Sequence, residues 1–151
     1  MTKPILTIVR GLPGSGKTTY ARKLATETGC TLIEPDALLV KDGVYRYNQG
    51  LFNVACDFSL ELLQKIGEAG ADVIYADVLA ARAYVRDVIH AYRNGNRRSF
   101  SHSETGYTIR VIDMPLLTVD ESMARNRHAV RRDDIERMYA KWQPWSAEVE
   151  K

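Results

Sequence analysis

The octapeptide GLPGSGKT at residues 11–18 leaves this chain few folds to choose from. It fits G-x-x-x-x-G-K-[ST] and lies between an apolar run (Ile5, Leu6, Ile8, Val9) and a helix-like run at 19–28. A buried strand, a glycine turn and a helix N-terminus, in that order, form a concave nest of backbone N–H groups suited to a triphosphate. Outside that context the same glycines would read as a turn that binds nothing. The candidate nucleotide-binding residues are therefore Gly11, Leu12, Pro13, Gly14, Ser15, Gly16, Lys17, Thr18 and Thr19. Lys17 is spaced to reach the β- and γ-phosphates, and Thr18 to offer its hydroxyl to Mg²⁺.

The 151 residues are expected to form a single domain that buries about two-thirds of the surface its unfolded chain exposes. With 45% hydrophobic and 26% charged residues the composition is that of an ordinary globular protein. A net charge of +2 is too small to argue nucleic-acid binding unless the charges cluster. No apolar run approaches membrane-spanning length, so a cytoplasmic protein with no membrane partner is expected. Cys30 and Cys56 lack C-x-x-C spacing and read as free buried thiols; His90, His102 and His128 have no ligand spacing.

Alternating strand and helix signals run on from the loop and predict an α/β fold with an open parallel sheet. Residues 31–34 (TLIE) form a short strand ending at Pro35-Asp36. In such sheets ligands bind beyond the carboxyl ends of the strands, which makes Asp36 the first candidate for a general base. It would also serve as a helix N-cap before Ala37-Leu38-Leu39. Residues 41–50 are turn-rich, with Asp42-Gly43 as a tight turn, and read either as an acceptor contact or as a solvated loop. A helix over 51–68 follows, with Phe52, Ala55, Cys56, Leu62, Leu63 and Ile66 as its core face.

Residues 71–77 (ADVIYAD) are the third strand, ending in Asp77, a candidate Mg²⁺ position or again a helix cap. A helix is expected over 80–93. The polar stretch 94–106, with Arg97, Arg98, Phe100 and His102, reads as a surface loop, with nucleic-acid contact as the alternative. The fourth strand covers 107–114. Thr118 and Glu121 match a capping box, and the last helix opens near Asp133, with Ile135, Met138, Tyr139 and Trp142 apolar. Between these helices Arg125, Arg127, His128, Arg131 and Arg132 crowd together. Such a run is either a solvated face or a lid whose guanidinium forks grip phosphate oxygens.

GLPGSGKTTYARKL at 11–24, Asp36, Asp77 and RNRHAVRRDDIERMY at 125–139 together resemble the small P-loop kinases related to the 5′-kinase domain of phage polynucleotide kinase, over nearly the whole chain. The resemblance implies a P-loop NTPase fold with a four-stranded parallel sheet in the order 2-3-1-4. It also implies ATP·Mg²⁺ held by Lys17 and Thr18, Asp36 as the base, and Arg125 with Arg127 in a lid near 125–132. The implied acceptor is a hydroxyl on DNA or RNA: a 5′-OH end or a hydroxymethylated pyrimidine, as for phage kinases of modified bases. A small-molecule alcohol is the alternative acceptor, and an ATP-binding module without chemistry is the non-enzyme alternative. The chain departs from the family in reading Ala37-Leu38-Leu39 where an arginine tends to follow the base, and Asp77-Val78-Leu79 in place of Asp-Thr-Asn.

Overall fold

The computed structural model describes residues 3–99 and 106–145. Strand β1 (Ile5–Arg10) leads through the glycine loop into helix α1 (Lys17–Thr28), and β2 (Thr31–Ile33) follows. A 3-10 turn over Pro35–Leu39 enters a hairpin of β3 (Val40–Lys41) and β4 (Val44–Tyr45). Then come α2 (Gln49–Ala69), β5 (Val73–Asp77), α3 (Arg82–Ser99), β6 (Thr108–Asp113), α4 (Val119–Arg125) and α5 (Arg132–Lys141). The main sheet is parallel throughout and runs β2-β5-β1-β6, the 2-3-1-4 order expected.

Period-two alternation in the central strands divides the core into two layers. Leu6, Ile8, Val73 and Tyr75 face α2 and α3, meeting Leu63, Val85, Val88 and Tyr92. Val9, Ile74 and Ala76 face the other way, onto Ala21 of α1. With both faces covered, the middle strands carry apolar residues at nearly every position, and the functional groups fall at the strand ends.

Three expectations need correcting. Residues 94–99, expected to be loop, continue α3, because Gly95 lies so close to α2 that a Cβ there would overlap the Gln64 carbonyl oxygen. That helix–helix contact outweighs the polar, glycine-punctuated local sequence. Phe100 and His102 lie outside the described residues. Leu62 (37% exposed) and Tyr139 (43% exposed) point outward, since α2 and α5 each bury a narrower stripe than their apolar content implies. Cys30 and Cys56 are free but only half-buried. Asp42 and Gly43, both at positive φ (53° and 77°), form the tight turn of the β3–β4 hairpin.

Arg10, the last residue of β1, is fully buried. Its guanidinium donates to the carbonyls of Leu79 (3.1 and 2.6 Å), Ala80 (3.0 Å) and Gln143 (2.9 Å), and to Asp113 Oδ1 (3.1 Å). It also stacks over Trp142, 4.3 Å from the ring centroid. One side chain thus joins the carboxyl ends of β1, β5 and β6 to the segment after α5, immediately before the glycine loop.

Candidate active site

The loop is shaped by Gly14 and Gly16, at φ 80° and 88°, and closed by Ser15 N–H donating to Leu12 C=O (3.0 Å). Gly16 occupies the cap position of α1 without a side-chain hydrogen bond, and no acidic residue sits in the first helical turn. The Ser15 hydroxyl is buried there without a hydrogen-bond partner. Uncommitted donors at the positive end of a helix dipole fit a phosphate chain.

Lys17, at the start of α1, shares its surroundings with three carboxylates. Burial lowers its pKa, and Asp77, Asp36 and Glu34, in that order, oppose the shift. Asp77 is 8% exposed and has its pKa pushed up to about 6, first by burial and then by the like charge of Asp36. Val78 N–H, 2.8 Å from Asp77 Oδ1, and the Lys17 ammonium partly offset this. Neither aspartate caps a helix: Asp36 lies inside the 3-10 turn, whose cap position is Glu34, and α3 begins five residues after Asp77.

Sequence reasoning missed Glu34. It reads as the last residue of a strand, yet one carboxylate oxygen is buried without a partner while the other accepts from Arg22 Nη2 at 3.4 Å. Cys56 on α2 also lies within the field of Asp77 and Asp36; its thiol, pushed up to about 12 mainly by burial, stays protonated and unreactive. Among the described residues no three His, Cys, Asp or Glu side chains are grouped to hold a metal ion. Asp77 and the Thr18 hydroxyl have the oxygen-donor chemistry that suits Mg²⁺, and phosphate oxygens and water would complete such a set.

Helix α4 carries Arg125 to the loop. The capping box is formed as expected, with Thr118 Oγ1 accepting from Glu121 N–H (3.1 Å) and Glu121 accepting from Thr118 N–H (3.1 Å). The buried Ser122 hydroxyl donates to Pro13 C=O at 2.6 Å, seating the helix on the loop. A Cβ at Gly14 would stand 2.7 Å from Arg125 Cβ.

Beyond α4, Asn126 closes residues 126–130 into a compact turn, accepting from His128 N–H (3.1 Å) and donating to Val130 C=O (2.8 Å). The arginines then divide into two groups. Arg132 binds Asp120 (2.9 Å) and Glu136 (3.0 Å), tying α4 to α5, and Arg131 lies 3.7 Å from Asp133. Arg125 and Arg127 are exposed and make no salt bridge among the described residues.

The hairpin brings Tyr45 to Asp36, its hydroxyl 3.3 Å from Oδ1. The Tyr45 ring packs on His128 with centroids 4.3 Å apart. Next to the 3-10 turn, a cavity of about 300 Å³ is lined by Leu38, Leu39, Leu51, Val54, Ala55 and Phe58.

Residues 6–147 match the family described as AAA domain. Among solved structures, the chain is similar to one in the Pnkp1/Rnl/Hen1 RNA repair complex, at 20% identity and a TM-score of 0.68 over 93% of this chain. It spans 44% of that protein's length. A putative kinase from Chloroflexus aurantiacus J-10-fl has 18% identity and a TM-score of 0.68, over 97% of this chain and 84% of that one. A gluconokinase from Sinorhizobium meliloti 1021 has 17% identity and a TM-score of 0.54, over 99% and 81%. No helix among the described residues is long and apolar enough to cross a membrane. The chain belongs to the AAA domain family and has the P-loop kinase fold, which implies nucleotide binding.

Proposed function

We propose that this chain is an ATP-dependent phosphotransferase acting on a hydroxyl carried by DNA or RNA, either a hydroxymethylated pyrimidine or a 5′-OH end. The observation that carries the reading is the convergence of Lys17, Asp36 and Asp77 at one edge of the sheet, beside a loop on which the backbone of Arg125 rests. Residues 11–19 hold the triphosphate, and Lys17 binds its outer phosphates. Mg²⁺, when bound by Thr18 and Asp77, offsets phosphate charge. Asp36 takes the proton of the acceptor hydroxyl. The acceptor oxygen bonds to the γ-phosphorus as the bond to the β,γ-bridging oxygen breaks, leaving ADP. Arg125 and Arg127, exposed and in no salt bridge among the described residues, neutralise the charge that moves onto the phosphate oxygens.

A second reading, a kinase of small alcohols, draws support from the apolar cavity beside the turn that bears Asp36. The gluconokinase shares the fold. Transfer of labelled γ-phosphate to a panel separates the two: 5′-hydroxyl DNA and RNA, DNA with hydroxymethylated pyrimidines, free nucleosides and small sugars. The expected result is label on nucleic acid that falls steeply as salt rises. Label only on small alcohols, insensitive to salt, would establish the second reading. ATP binding without transfer to any acceptor or to water would make the chain a nucleotide-binding module, a reading supported by Val78-Leu79 after Asp77.

A further inference from the structure

Tyr45 lies in the short hairpin inserted between the 3-10 turn and α2, outside every phosphate-loop element. Its two ends make different contacts. The hydroxyl reaches Asp36 Oδ1 at 3.3 Å, and the ring packs on His128 at a 4.3 Å centroid distance with the planes tilted by 36°. His128 is held in the turn closed by Asn126, one residue after Arg127. The hairpin is itself pinned to the turn that carries Asp36, since Arg46 N–H donates to Leu39 C=O at 3.1 Å. One side chain therefore spans from the carboxylate to the arginine-bearing segment.

We infer that Tyr45 is a positioning residue: its hydroxyl fixes the rotamer of Asp36 while its ring, packed on His128, sets where the Arg125–Arg127 segment stops relative to that carboxylate. A carboxylate free to rotate about Cα–Cβ and Cβ–Cγ spends much of its time misaimed. A hydrogen bond to one oxygen leaves the other directed at the acceptor, and misplacement by about 1 Å costs up to about a hundredfold in rate. Burial and the neighbouring carboxylate keep the phenol protonated, so it stays a donor. The inference rests on Asp36 acting as the base.

Three variants test it: Tyr45→Phe, Tyr45→Leu and Asp36→Asn. Turnover is measured as labelled phosphate transfer to whichever panel acceptor takes it, and as ATP hydrolysis with water as acceptor. Proton NMR of the His128 ring reports the stack independently, through the upfield ring-current shift imposed by Tyr45. Tyr45→Phe is expected to keep that shift, the unfolding temperature and the KM for ATP, while kcat falls about ten- to a hundredfold. Tyr45→Leu is expected to lose the shift as well and to raise the KM for ATP. If Asp36→Asn is slow but Tyr45→Phe turns over like wild type, the positioning role is wrong and the kinase reading stands. If Asp36→Asn is as fast as wild type, the kinase mechanism itself fails. Loss of the ring-current shift in Tyr45→Phe would show that no stack exists apart from the hydroxyl, which also overturns the inference.

Discussion

Gly14 and Arg125 touch through their backbones: a Cβ on the glycine would lie 2.7 Å from Arg125 Cβ and 2.9 Å from its carbonyl carbon. The contact makes the apex of the phosphate loop the seat for the end of α4. It joins the site that would receive the nucleotide to the arginines that would close over it.

Substitution at that seat is expected to be felt in nucleotide binding. Gly14→Ala combines a φ of 80° with the clash against Arg125, whereas Gly29→Ala, at φ 72°, meets nothing within 4 Å. The left-handed conformation costs each alanine about 1–2 kcal/mol. Both variants should therefore unfold more easily, but only Gly14→Ala should weaken ATP binding, by about tenfold or more. Titration calorimetry with ATP checks the difference; equal affinities would mean that the seat is not coupled to the nucleotide.

Asp77 ties stability to pH in the metal-free protein. Its folded pKa, about 6, lies above the ordinary value of 3.8, because burial and then Asp36 disfavour the ionised form. The folded state thus holds more protons than the unfolded one between those values. The stabilising effect is fully present below about pH 3.8, is lost as pH rises through about 6, and is absent at neutral pH. Asp77→Asn should flatten this profile and stabilise the chain near pH 7.5 by as much as about 2–3 kcal/mol. Urea unfolding in the presence of a chelator, from pH 4 to 8, measures it; a wild-type profile that rises with pH through this window would contradict the assignment.

Arg10 is expected to dominate the attachment of the C-terminal segment. Arg10→Met keeps much of the volume but removes the guanidinium donor from the Leu79 and Gln143 carbonyls and from Asp113 Oδ1, while the Ala80 carbonyl keeps Gln143 N–H and Asp113 Oδ2 keeps Trp145 N–H. Breaking a buried, multiply bonded charge of this kind costs about 3–5 kcal/mol. Thermal unfolding should show a drop of many degrees, together with faster proteolysis after α5. A variant as stable as wild type would mean that the segment is held mainly by Trp142 and Trp145.

In the main sheet β1 and β5 were legible as apolar runs of strand length, β2 as a short stretch before Pro35 and β6 by its alternation and β-branched residues, and the loop motif fixed where the first of them ends. Asp36 and Asp77 were legible by position, at carboxyl ends of strands. Glu34 was not, since the loss of one oxygen's hydrogen bonding is a property of the packed site. Tyr45 was visible only as one of two tyrosines in a turn-rich insert. The hairpin's two-residue strands are too short to leave a period, and its contact with His128 joins positions 83 residues apart in sequence. The arginine cluster could be located but not sorted. Arg132 is occupied by Asp120 and Glu136, and that division depends on how α4 packs against α5.

The most direct test of the account is Asp36→Asn, with ATP affinity measured by calorimetry and turnover by labelled phosphate transfer. The substitution keeps the size of the side chain and its contact with Tyr45 but removes the proton acceptor. Affinity for ATP should stay within about twofold, while turnover falls by about two to four orders of magnitude. Turnover equal to wild type would remove Asp36 from the chemistry and contradict the account.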